Sequence, residues 1–101
     1  MAKYLFVYYG KWETDPKKVA KSMDAWGKWF AGLGKAVVDG GAPLMPGKIV
    51  SAAGIKSPRT KLMTGYSIMQ AANMDAALKM AKSCPGITAG QDVAVYELAP
   101  M

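Results

Sequence analysis

The stretch "KYLFVYYG", residues 3–10, decides the fold, because it indicates a strand that is apolar on both faces. Its aromatic and β-branched residues favour a strand, and Gly10 ends it. Alternation along the strand gives one face with Tyr4, Phe6 and Tyr8 and a second face with leucine, valine and tyrosine. The sheet that contains this strand therefore has no obvious polar face to turn towards water.

Two helices are predicted from apolar residues spaced three and four apart. The first begins at Pro16 with Asp15 as its N-cap and ends at Gly34. Asn73 caps the second helix, which Pro85 ends. The buried stripe of the first helix is expected to contain Val19, Met23, Trp26, Phe30 and Leu33.

The remaining strands complete a known element order. They are "AVVDG" with the extended piece "KIVSAAG" after it, then "LMTGYSIMQA" and "QDVAVYEL". The order β-α-β-β-α-β predicts a ferredoxin-like α+β fold, an antiparallel sheet with two helices on one face. No internal linker or repeat divides it, so residues 1–101 are expected to form a single domain.

Composition excludes several classes of protein. No apolar run is long enough to span a membrane, and no export leader is evident, so a cytoplasmic protein is expected. The chain has no histidine and one cysteine, Cys84, so neither a metal nor another cofactor is expected. Its twelve lysines are scattered and Arg59 is the single arginine, which favours a solvated basic surface over a nucleic-acid site.

Two helices cover only one face of such a sheet, which leaves the other face free. If the smaller aliphatic sides take the helices, the free side is an aromatic patch that marks an interaction surface. Two copies could bury this patch against each other as a homodimer, which would give a dimeric α+β barrel. The predicted interface residues are Tyr4, Phe6, Tyr8, Tyr66, Ile68 and Tyr96.

An RNA-binding module is the alternative use of the same face. RNA-recognition motifs share this element order and stack bases on an open sheet. "LFVYYG" and "TGYSIM" loosely resemble their two strand motifs, with Phe6 and Tyr66 at the stacking positions. Ile68 occupies the third stacking position and no arginine flanks it, so RNA is the less favoured interpretation.

Four segments together resemble one family over most of the chain. They are "KYLFVYYG", "MDAWGKWFAGLGKAVVDGGAPL", "TGYSIMQAANMDAALKMAKSCP" and "VAVYELAPM". In this order they resemble a YCII-related domain of the DGPF type, within the dimeric α+β barrel proteins. The resemblance implies a homodimer with a cleft. Some members carry a His-Asp pair proposed as catalytic, which cannot exist here, and "GIKSPRTKLMTGY" replaces the loop that would hold Asp-Gly-Pro-Phe.

Asp39 is the best single candidate for a catalytic acid or base. It follows two valines and precedes Gly40 and Gly41, which would let a ligand approach the backbone closely. The same Asp-Gly pattern is common in turns, where the carboxylate accepts from backbone amides. The residues proposed to line a ligand cleft are Tyr8, Trp29, Met45, Ser51 and Tyr66.

The sequence leaves three functions open. The first is a homodimer that binds a small, partly apolar molecule in a cleft by the sheet. The second is a cofactor-free isomerase or lyase, with Asp39 as base and a tyrosine as acid. The third is the RNA-binding module.

Overall fold

A computed structural model describes residues 1–11, 13–58 and 62–100 of the chain. Arg59, the lone arginine, lies outside these ranges. A single 3₁₀ turn, Gly34–Ala36, joins the first helix to the second strand. The strands and helices are β1 (Ala2–Tyr9), α1 (Pro16–Leu33), β2 (Val37–Pro43), β3 (Ile49–Ser51), β4 (Gly54–Lys56), β5 (Met63–Ala71), α2 (Met74–Lys82), α3 (Pro85–Thr88) and β6 (Val93–Glu97).

The main sheet has four antiparallel strands in the order β2-β5-β1-β6. Together with the two long helices, this order is that of the predicted ferredoxin-like α+β fold. β3 and β4 form a separate two-stranded hairpin between β2 and β5. The extended piece predicted after β2 is therefore the first half of this hairpin and not part of the main sheet.

The predicted helix boundaries agree with the structure. Asp15 accepts a hydrogen bond from the amide of Lys17 at 3.0 Å, Asn73 accepts one from Ala76 at 2.9 Å, and Gly34 ends α1 with φ +56°. Each side-chain bond satisfies a helix amide that lacks a partner in the first turn. Among the described residues, no helix combines the length and the apolar character needed to cross a membrane.

The stripe predicted for α1 needs one correction. Met23 is 70% exposed, whereas Trp29, which the spacing placed off the stripe, packs against the core. The apolar face of α1 that contacts the core is therefore centred on Trp26, Trp29 and Leu33, and Met23 lies at the solvent-exposed edge of that face. Every apolar side chain that α1 places on the core is only partly buried.

The predicted assignment of sheet faces is partly wrong. In β1, the side chains of Tyr4 and Phe6 are 1% and 0% exposed, and Tyr8 is buried with them under the helices. In the strand register Phe6 lies opposite Ser67 and Tyr8 opposite Gly65, and directly opposed residues share a face. The aromatic side of β1 therefore faces the helices, and the aliphatic side faces away from them.

Side-chain volume explains this arrangement. The small residues Gly65 and Ser67 of β5, with Ala77 and Ala81 of α2, leave room for the three rings on the helix side. The opposite side of the sheet, here called the free face, has Leu5, Val7, Tyr66, Ile68, Ala94 and Tyr96 at its centre, with Lys3 and Gln70 at one end. The sheet is therefore apolar on both sides, as expected, although three of the six residues predicted for the free side belong to the core.

A bulge in β2 brings its backbone close to β5. The register between these strands shifts on both sides of Asp39, and Gly41 has φ +71°. A methyl group on Gly41 would overlap the carbonyl oxygen of Tyr66. Only glycine combines this conformation with this close approach.

We expect Gly41→Ala to lower the free energy of unfolding by about 3 kcal/mol, because positive φ and the overlap with Tyr66 both oppose a side chain. Gly40→Ala is the matched control, since a Cβ there has no neighbour within 4 Å. We expect that control to stay within about 1 kcal/mol of the parent protein. Urea unfolding of the three proteins measures both values, and equal losses for the two variants would contradict the explanation.

Candidate functional site

An aromatic cluster lies between α1 and the sheet. It consists of Tyr8, Trp26, Trp29 and Phe30, and its rings meet edge to face or tilted. The ring centroids of Tyr8 and Trp26 are 4.7 Å apart, and those of Trp26 and Trp29 are 5.5 Å apart. Such pairs add stability beyond the area that they bury. All three α1 rings are only partly buried, so the cluster reaches the protein surface along α1.

Polar atoms at the cluster are joined to the surrounding structure. The Tyr8 hydroxyl donates to Ser67 Oγ at 3.0 Å, and Ser67 Oγ donates to the carbonyl oxygen of Gly40 at 2.9 Å. Trp29 Nε1 donates to Ser83 Oγ at 2.9 Å. The first chain of bonds connects the end of the Tyr8 ring to the bulge of β2, beside Asp39.

Burial raises the pKa of Tyr8 to about 12, and the nearby Cys84 adds to the increase, whereas the bond to Ser67 opposes it. Tyr8 is therefore a neutral phenol at physiological pH and does not serve as a base. Its oxygen can still accept a hydrogen bond, because a phenol that donates once keeps free lone pairs.

Asp39 holds the bulge. Its Oδ1 accepts a hydrogen bond from the amide of Gly41 at 2.8 Å, and the side chain is exposed. This is the turn geometry expected of an Asp-Gly sequence, the alternative to a catalytic role. A catalytic role of Asp39 stays a prediction, and the observed bond favours the structural role.

The other predicted ligand-binding residues do not meet in one cleft of a single chain. Tyr8 and Trp29 are neighbours, with ring centroids 6.4 Å apart. Tyr66 lies on the free face, on the other side of the sheet. Ser51 lies in the β3–β4 hairpin, where its hydroxyl donates to the carbonyl oxygen of Gly54. Met45, which precedes this hairpin in the chain, is exposed.

The residues predicted for the dimer interface are also divided between the two faces. Tyr66, Ile68 and Tyr96 lie on the free face, and Tyr96 is 57% exposed. Tyr4, Phe6 and Tyr8 lie under the helices and cannot contact a partner across the free face. Because Phe6 is fully buried, the RNA-binding alternative loses one of its two stacking residues.

Ser67 is the site residue that sequence reasoning missed. It is completely buried, and it joins Tyr8 to the β2 bulge. A serine within an apolar strand indicates a buried hydrogen bond, but its partner depends on the register between β1 and β5. Trp26 and Phe30 were expected only as core residues.

A groove of about 450 Å³ lies elsewhere on the described surface, between α2, α3 and β6. The two valines of β6 and two α2 lysines contribute to its walls. Leu78 of α2 is 42% exposed there, and Ile87 of α3 is 41% exposed. None of the predicted site residues lines this groove.

Cys84 is completely buried beside the end of α2. Burial raises the pKa of its thiol, so it stays protonated at neutral pH. Cys84 therefore serves as a small core residue.

We expect Tyr8→Phe to lower the free energy of unfolding at pH 7 by about 1 kcal/mol, because Ser67 loses a hydrogen-bond donor. The difference between the two proteins should then shrink as the pH rises. Since the folded-state pKa of Tyr8 is raised, its contribution to stability is complete below pH 10 and is lost towards pH 12.

Urea unfolding of both proteins at pH 7 and pH 11 measures this change. The gap should be smaller by about 1 kcal/mol at pH 11. The two proteins differ at one residue only, so the comparison isolates the contribution of Tyr8. A gap that does not change with pH would show that Tyr8 ionises normally in the folded protein.

Comparison with known proteins supports the fold. No protein-family model matches the chain, and no curated protein sequence matches it. Among solved structures, the chain is similar to 5-chloro-2-hydroxyhydroquinone dehydrochlorinase (TftG) from Burkholderia phenoliruptrix AC1100, in complex with 2,5-dihydroxybenzoquinone. The TM-score is 0.60 at 18% sequence identity, over 97% of this chain and 95% of that chain. The two proteins share the α+β fold over nearly their whole lengths.

Proposed function

We propose that the chain is a homodimer that binds a small, planar aromatic molecule beside the aromatic cluster. In this proposal two copies pack their free faces together as a dimeric α+β barrel of the YCII-related, DGPF type. Residues 1–101 act as one domain in the cytoplasm. The free face, apolar and opposite the helices, is the observation that carries the proposal.

The composition of the free face supports a protein partner. Aliphatic residues in the centre, flanked by Tyr66 and Tyr96, match the apolar centre and aromatic content of stable interfaces. Tyr96 is the most exposed of them, and its ring presents apolar area that a second sheet could bury. A sheet that was polar on this side could face water and would not require a partner to cover it.

The aromatic cluster supports the ligand class. Partly buried tryptophan rings offer faces and edges against which a planar ring can stack. The Tyr8 oxygen can accept a hydrogen bond from a ligand hydroxyl. The dehydrochlorinase of the same fold was solved with 2,5-dihydroxybenzoquinone, a planar six-membered ring of similar size.

The proposed role is binding and not catalysis. The Asp39 carboxylate is engaged by the Gly41 amide, and the raised pKa of Tyr8 keeps that phenol protonated. Asp39 thereby has a structural role in the turn, and Tyr8 does not supply a base at neutral pH.

We expect the protein to elute as a dimer in size-exclusion chromatography with light scattering. Ile68→Lys should give a folded monomer, because the charge would be buried in the interface but solvated in the single chain. Met23→Lys is the control, since Met23 is an exposed apolar residue on α1, away from the free face. A monomeric parent protein, or a dimeric Ile68→Lys variant, would contradict assembly through the free face.

Titration calorimetry with hydroquinone, a planar ring whose hydroxyls stay protonated at neutral pH, tests the ligand site. We expect binding that Tyr8→Phe weakens about five- to tenfold, because one hydrogen bond is lost. Asp39→Asn should bind like the parent protein, and so should Ile87→Ser, which alters the separate groove. Absence of binding, or a loss confined to Ile87→Ser, would rule out the aromatic cluster as the site.

A further inference from the structure

The β3–β4 hairpin has no place in the core of a single chain. Every residue from 45 to 57 is exposed, and among the described residues the two hairpin strands pair only with each other. Val50 and Ile55 lie directly opposite each other and are 76% and 71% exposed. An isolated two-stranded hairpin is at best marginally stable in water, so this one needs further contacts.

The dimensions of the chain agree with a projecting segment. Its radius of gyration is 14.6 Å, against about 13 Å for a compact domain of this length. Lys48 Nζ donates to Ser57 Oγ at 2.7 Å and ties the two ends of the hairpin together. The hairpin is thus a defined arm with an apolar side.

The arm begins beside the free face. It leaves the sheet between Pro43, the end of β2, and Met63, the start of β5. Pro43 pairs with Gly65, next to Tyr66 of the free face. Exposed methionines stand at both ends, Met45 before the arm and Met63 after it. Apolar side chains therefore continue from the border of the free face towards the hairpin.

We propose that this arm packs its Val50–Ile55 side on a second copy of the chain and extends the dimer interface. The inference rests on the proposed dimer. An interface of ordinary size buries about 800 Å² of accessible surface on each chain, and the apolar side of the arm would add to the area that the free face supplies.

The test compares dimer dissociation constants by analytical ultracentrifugation. Val50→Thr/Ile55→Thr keeps β-branched residues in the hairpin but makes its apolar side polar. We expect the dissociation constant to rise at least about tenfold. Ser51→Thr/Lys56→Thr changes the opposite side of the same hairpin, and it should stay within about twofold of the parent protein.

Hydrogen exchange provides a second measurement that does not depend on variants. Amides of residues 49–56 should exchange rapidly in dilute protein and become protected at concentrations where the dimer forms. Exchange that is equally fast at all concentrations, together with an unchanged dissociation constant for Val50→Thr/Ile55→Thr, would contradict the proposal that the arm packs on a second copy.

The Ile68→Lys variant separates the two proposals. If Ile68→Lys dissociates while Val50→Thr/Ile55→Thr remains a tight dimer, the free face forms the interface and the proposed role of the arm is wrong. If only Val50→Thr/Ile55→Thr dissociates, the arm forms the interface and assembly through the free face is wrong. A parent protein that is monomeric at every concentration overturns both.

Discussion

The fit of three aromatic rings beneath two helices is the constraint on which the structure depends. Tyr4, Phe6 and Tyr8 reach the helix side of β1, where Ser67 and Gly65 of the next strand are small. Alanines of α2 allow that helix to approach the sheet over the same rings. Once the rings face the helices, alternation sends the aliphatic residues of β1 to the other side, where the single chain has no matching layer.

The same fit also positions the chemistry. The Tyr8 ring spans the core from β1 towards β5, so its hydroxyl meets Ser67 and is linked through that serine to the carbonyl of Gly40. Asp39 and Gly41 then fix the bulge that presents this carbonyl. Packing and strand pairing are therefore coupled, and a change in the bulge would be transmitted to the tyrosine.

Local signals in the sequence predicted the element order, the caps at Asp15 and Asn73 and the apolar character of both sheet faces, because each depends on neighbouring residues. The side of the sheet that takes the helices was not predictable from β1 alone. It depends on small residues far along the chain, such as Ser67, and on the strand register. The hydrogen bonds of Tyr8 depend on the same register, whereas the turn at Asp39 depends only on neighbouring residues.

The partial burial of α1 has a consequence for how the chain moves. All 18 residues of this helix keep some contact with solvent, whereas α2 has two buried alanines, Ala77 and Ala81. Segments with few enclosed side chains open at lower free energy than the rest of a domain. In such a domain α1 detaches before the sheet loses its pairing, and each detachment uncovers the tryptophan rings from above. A bound molecule would then hold the helix down, so occupancy and local order would rise together.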